Sequence, residues 1–242
     1  MRIWIQTLTG IAALAAFGMV TGNGWTPAAQ AQAPTLQKKP KDTVEYNLFN
    51  AVIKDIQDNN SGQAINDLNI WTQKYPDSDY RDDRLYYFMQ AYSKASAPQP
   101  DKVVDYGSQL AAKGLAATFP DPKEGPTIIL NVLYLLTATI PTLPNPTPDQ
   151  VALGIKSAHD LLDYLPGFFA VDKKPTSLPS LAWTQARVQL ETAAKKSLIG
   201  LALVPGNAAM TKNPQDCTGA EAAYRKELLV YPESSVLAYQ LA

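Results

Sequence analysis

The sequence predicts an all-α protein, an α-solenoid of stacked helical hairpins, and three observations carry that prediction. After residue 42 apolar residues recur at helical spacing along most of the chain; Pro- and Gly-bearing turns punctuate these stretches; and no sustained apolar–polar alternation of the kind strands need is present. At 242 residues the chain is long enough to bury a substantial core.

The first 33 residues have a different character. Met1-Arg2 supplies a positive start, residues 11–20 are apolar and Ala-rich, and Ala29-Gln30-Ala31 and Ala31-Gln32-Ala33 are small-x-small cleavage sites. Gln6, Thr7 and Thr9 keep the apolar run short of the roughly 20 residues that span a bilayer. The reading is a signal peptide, 1–33, cleaved after Ala31 or Ala33, and a periplasmic or secreted mature protein with no membrane span. Mature protein would begin near Gln32 or Pro34, and no Cys near the site offers a lipid attachment point. Residues 34–42, "PTLQKKPKD", read as a polar linker. The helical repeat domain is then 43–242.

The helices follow in order. Asp42 with Glu45 forms a capping-box pattern, after which Val44, Leu48, Val52 and Ile56 recur every fourth residue. The turn formers Asp58-Asn59-Asn60-Ser61-Gly62 end that helix. A second helix carries Ala64, Leu68 and Trp71 in step and stops at Tyr75-Pro76, completing a hairpin. A Tyr-rich helix over 81–94 and a longer one over 101–118 form the next pair. Pro126 opens the apolar "TIILNVLYLLTATI", and the Pro-rich 141–148 separates it from "DQVALGIKSAHDLLDYL", which ends at Pro166-Gly167. Residues 180–203 and 219–231 make the last complete pair. Each hairpin has an apolar face it cannot cover alone, and stacking neighbours buries it.

These spacings resemble the tetratricopeptide repeat, whose second helix carries a small residue, a large one four later, a small one three after that and Pro five further on. Ala64, Leu68, Trp71 and Pro76 fit that pattern, with Trp71 bulkier than it asks. Ala220, Tyr224 and Pro232 fit it again, with Glu227 in the small position. Leu85, Phe88, Met89 and Tyr92 follow the first-helix spacing, with Met89 in place of a small residue and a wider helix contact expected. Val103-Val104-Asp105-Tyr106-Gly107 resembles a second helix that overruns before Pro120, and 126–204 share the hairpin plan with longer loops. "ESSVLAYQLA" at the end is similar to the opening of another repeat. The resemblance therefore implies a chain cut inside an array, with 235–242 frayed and the reading frame continuing.

Composition and motifs exclude several chemistries. With 21 basic against 22 acidic side chains and no basic cluster, nucleic acid is not an expected partner. One His and one Cys cannot furnish a zinc ligand set, and a Ser-His-Asp triad would have to be built on His159 alone. Cys217 is an incidental thiol or pairs with another molecule; it has no partner within the chain. In "PDSDYRDDR", Asp82 and Phe88 stand where a calcium loop needs Gly and Glu, so the acids read as helix caps. The apolar helix over 128–140 is too short to span a bilayer and reads as the solenoid centre, with an uncharged concave side able to take a hydrophobic peptide.

No metal or cofactor is expected, and the chain reads as a non-enzyme that binds a protein or peptide partner. The resemblance implies a groove lined by first-helix side chains, which by spacing are Asn47, Lys54, Tyr86 and Gln90. The alternative is a structural spacer of the bacterial cell envelope that binds through its convex face.

Overall fold

In the computed structural model the described residues are 38–230, 232 and 234–241. The signal peptide, its cleavage points after Ala31 or Ala33, residues 34–37 of the linker, and Tyr231, Glu233 and Ala242 lie outside them. The regular structure of the described residues is helical, with no strand. The helices are α1 (Thr43–Gln57), α2 (Ser61–Lys74), α3 (Arg81–Ser93), α4 (Pro100–Lys113), the single turn α5 (Leu115–Thr118), α6 (Gly125–Thr139), α7 (Pro148–Phe168), α8 (Ser180–Met210), α9 (Cys217–Val230) and α10 (Ser235–Gln240).

Each long helix packs on the next one along the chain. Alternate helices also touch: α1 meets α3, α3 meets α6, α6 meets α8 and α8 meets α10. The first apolar cluster joins Val52 and Ile56 of α1 to Ala64, Leu68 and Trp71 of α2 and Phe88 of α3. The second gathers Tyr86, Met89, Val104, Leu110, Val132, Leu136, Ile140 and Leu201 from α3, α4, α6, the following turn and α8. Each such large side chain taken fully from water contributes about 1.5–3 kcal/mol.

The buried face of α1 differs from the predicted one. Val44 is 45% exposed, and Glu45, Val52 and Ile56 face inward instead. Each step of four residues overshoots a helical turn by about 40°, so three steps carry Val44 well round from Ile56, whereas spacings of seven and eleven return almost to the same line. The capping box is likewise half formed. Asp42 accepts from the Glu45 backbone N–H at 2.8 Å, but the Glu45 carboxylate turns to the Lys41 N–H at 2.6 Å.

Three other boundaries move. The helix predicted over 101–118 breaks at Gly114, whose φ of 80° suits a residue without Cβ, leaving α5 as a separate turn. Helix α7 runs through Pro166 to Phe168, and α8 runs through Pro205 to Met210. Beyond Pro205 the continued helix buries Gly206 and Ala209, and a Cβ on Gly206 would lie 2.1 Å from the Tyr224 ring of α9. The burial of Met89 has a matching accommodation: on α4 the facing residue is Gly107, where a Cβ would come within 2.8 Å of the Met89 Cε.

Residues 38–42 are not a loose tether. Lys38 pairs with Asp83 at 2.6 Å, its carbonyl accepts from the Tyr80 hydroxyl at 3.2 Å, the Lys39 N–H meets Asp79 at 3.3 Å, and Asp42 accepts from the Tyr75 hydroxyl at 2.6 Å. The acids of "PDSDYRDDR" thus hold the incoming chain, and Asp82 pairs with Lys113 of α4. Helix α6 with the 3-10 turn after it, Gly125–Thr142, is long and apolar enough by composition to cross a membrane, at a mean hydropathy of 1.3 over 18 residues. In the fold it packs against α3, α4, α5, α7 and α8; residues 125–140 are all buried or half-buried, and Pro141 and Thr142 are exposed.

Candidate functional site

Two polar clusters are built into the apolar frame, and neither is announced by a motif. The first joins α1, α2 and α3. Glu45, 0% exposed, accepts from the Trp71 indole N–H at 2.9 Å. Arg84, 3% exposed, donates to the carbonyls of Trp71 at 3.1 Å, Tyr75 at 2.6 Å and Pro76 at 3.4 Å, and its guanidinium lies 5.5 Å from the Trp71 ring. A cation therefore caps the carbonyl end of α2, where the helix dipole favours it. Desolvation raises the Glu45 carboxyl, but hydrogen bonds from Lys41, Ser78 and Trp71 and the Arg84 charge bring it net below its ordinary value. These groups are buried and mutually satisfied, so this cluster holds the first hairpins together.

The second cluster lies where α3 meets α6. Tyr86 is 6% exposed, so it stands in the core rather than on the open groove surface its spacing predicts. Its hydroxyl has two side-chain neighbours, Gln90 Nε2 at 2.6 Å on its own helix and Asn131 Nδ2 at 2.9 Å on α6. Burial pushes the Tyr86 phenol up to about 12. Gln90 and Asn131 are half-buried. Along α6, Ile128, Asn131, Leu135 and Ala138 form one half-buried stripe at helical spacing without an ionisable side chain.

The structure thus brings together Tyr86 and Gln90 of the four predicted partner-binding residues and adds Asn131. Asn47 and Lys54 are exposed on α1; Lys54 pairs with Asp58 one turn on. Asn131 was missed because a single Asn inside "TIILNVLYLL" reads as an interruption of an apolar helix. Its signal was there nonetheless, as the one amide in that run. Of the repeat-pattern residues, Ala64, Leu68, Trp71, Ala220 and Tyr224 are buried, while Pro76 and Pro232 are exposed in turns.

The other candidates are placed as follows. His159 on α7 meets the buried Glu227 of α9 at 3.2 Å, so it bridges two helices that both pack on α8. Cys217 is exposed at the start of α9. No group of three metal-ligating side chains occurs among the described residues. A shallow concavity of about 380 Å³ runs along α8, lined by Val188, Glu191, Thr192, Lys195, Lys196 and Ile199, and contains none of the predicted residues. Compared with known proteins, the chain matches no family model, no curated protein and no solved structure.

Proposed function

We propose that the chain is an exported, non-enzymatic scaffold of tetratricopeptide-like hairpins. On this reading α1, α3, α6 and α8 form an inner layer that holds a protein or peptide partner, and α2, α4, α7 and α9 form the outer layer. The mutual contacts of α1 with α3, α3 with α6 and α6 with α8 support the layering. The single observation that carries the binding reading is the seam between α3 and α6, where Gln90 and Asn131 stand half-buried beside an uncharged apolar stripe. Hydrogen-bonding side chains at the edge of an apolar patch match the polar rim and apolar centre of a recognition surface.

A second reading, an envelope spacer that binds through its outer face, draws on Ile70 of α2, 51% exposed, and Leu229 of α9, 85% exposed. Photo-cross-linking side chains placed at Asn47 and Lys54, and separately at Ile70 and Leu229, distinguish the two in cells making the intact chain. The scaffold reading expects discrete adducts from the first pair. Adducts from Ile70 and Leu229 alone would replace it with the spacer. Intact-mass measurement of the exported fraction tests the leader, with an N-terminus at Gln32 or Pro34 expected and a retained Met1 in membranes opposing it.

A further inference from the structure

The Tyr86 hydroxyl has one proton and stands between two primary amides, and the distances indicate how that proton is used. A separation of 2.9 Å, as to Asn131, is ordinary for an amide N–H donating to oxygen; 2.6 Å, as to Gln90, is short for that bond and close to the ordinary length of an O–H donating to a carbonyl. With both amides donating, the buried hydroxyl proton would have no acceptor. Turning the Gln90 amide about its last bond puts its oxygen at the short distance, because the two ends of a primary amide have the same shape. Tyr86 then donates to Gln90 and accepts from Asn131.

That arrangement leaves one polar end of each amide unused, the Gln90 NH2 group as donor and Asn131 Oδ1 as acceptor. Neither residue contributes to the buried side-chain polar atoms without a partner among the described residues, and both are half-buried. They sit on neighbouring helices beside the stripe Ile128, Leu135 and Ala138.

We propose that Gln90 and Asn131 bind the backbone N–H and C=O of one residue in a partner's extended, uncharged segment, where both groups point to the same side, Asn131 Oδ1 accepting the N–H and the Gln90 amide donating to the carbonyl. This rests on the inner-layer reading above. The chemistry selects the ligand. A carboxylate would face the Asn131 acceptor, and an ammonium would face the Gln90 donor. A neutral group with both a donor and an acceptor satisfies both. The flanking stripe offers no opposite charge, so a charged side chain laid on it would lose its water uncompensated. Tyr86 acts as a positioning residue that holds both amides in their complementary orientations.

The test is fluorescence anisotropy with the intact mature chain and a labelled synthetic Val/Thr/Ala peptide. Matched probes carry either N-methyl groups on alternate backbone amides or interspersed Glu or Lys. Saturable binding of the neutral probe is expected, weakened about tenfold by N-methylation, by Asn131→Leu and by Gln90→Leu, the equivalent of one lost hydrogen bond. Tyr86→Phe is expected to weaken binding with its melting transition retained. Equal binding of the N-methylated probe, equal or tighter binding of the charged probes, or no saturable binding would overturn the proposal. Should a variant fail to fold, the N-methylated probe on the unaltered chain still decides. Adducts at Asn47 and Lys54 alongside such a failure would leave the scaffold reading standing, whereas adducts from the outer face alone would remove it.

Discussion

Arg84→Met removes the cation of the first cluster while keeping most of its apolar stem, and the structure gives the size of the effect. The guanidinium donates to three carbonyls at the end of α2 and lies within electrostatic reach of the fully buried Glu45. Removing a buried charged donor leaves the carbonyls it served unsatisfied and the Glu45 carboxylate without a nearby cation, and costs about 1–3 kcal/mol. The lost carbonyl bonds are part of that figure and are not added to it. Against a total stability of about 5–15 kcal/mol for a domain, the loss is a large fraction. Urea denaturation followed by tryptophan fluorescence reads it directly, with an unchanged m-value required for the comparison. The double-mutant cycle with Glu45→Gln then isolates the pair: in the Arg84→Met background the second change should cost about 1–3 kcal/mol less than in the native chain. A loss under about 1 kcal/mol, or strict additivity in the cycle, would refute the reasoning that Glu45 and Arg84 depend on each other.

Four further outcomes are expected. Hydrogen bonding from Tyr75 holds Asp42 below its ordinary value, and Glu45 also ends below its own; because both folded values are lowered, their stabilisation is present above about pH 4 and is lost as pH falls through the folded values. Denaturation midpoints on the acid side should therefore fall less steeply for Glu45→Gln. Tyr75 is pushed up to about 12 by desolvation and its bond to Asp42, so its contribution persists below about pH 10 and is lost as pH rises towards 12; alkaline titration of Tyr75→Phe should lack that step. Gly206→Ala forces a methyl group against the buried Tyr224 ring and should cost about 1–3 kcal/mol by denaturant midpoint, with no loss meaning that α8 and α9 pack less closely than described. Trp71→Ala should cost about 3–5 kcal/mol and the exposed Lys54→Ala under about 0.5 kcal/mol, and the reverse ranking would show the helix faces misassigned.

Much of the helical organisation was legible because it is a local property. Period-3.6 patterns marked the long helices, and the turn formers Asp58, Asn59 and Asn60 and the prolines at 141–148 marked their separations, whereas Gly62, read as part of that turn, lies inside α2. The errors fell where distant packing overrules a local signal. Pro205 reads as a stop, yet α8 continues because Gly206 and Ala209 are buried. Val44 reads as core because regular spacing by four looks periodic, yet it drifts off the buried line.

The sequence by itself determined the helical class, the absence of a His- or Cys-based metal set, and the apolar character of α6, since composition and short-range spacing suffice for each. Only the tertiary structure decided which polar residues meet. Glu45 reaches Trp71 across 26 positions, His159 reaches Glu227 across 68, and Asn131 reaches Tyr86 across 45. No local pattern encodes such pairs. Their free energy comes from burial in a shared low-dielectric space, and that space exists only after the helices have packed.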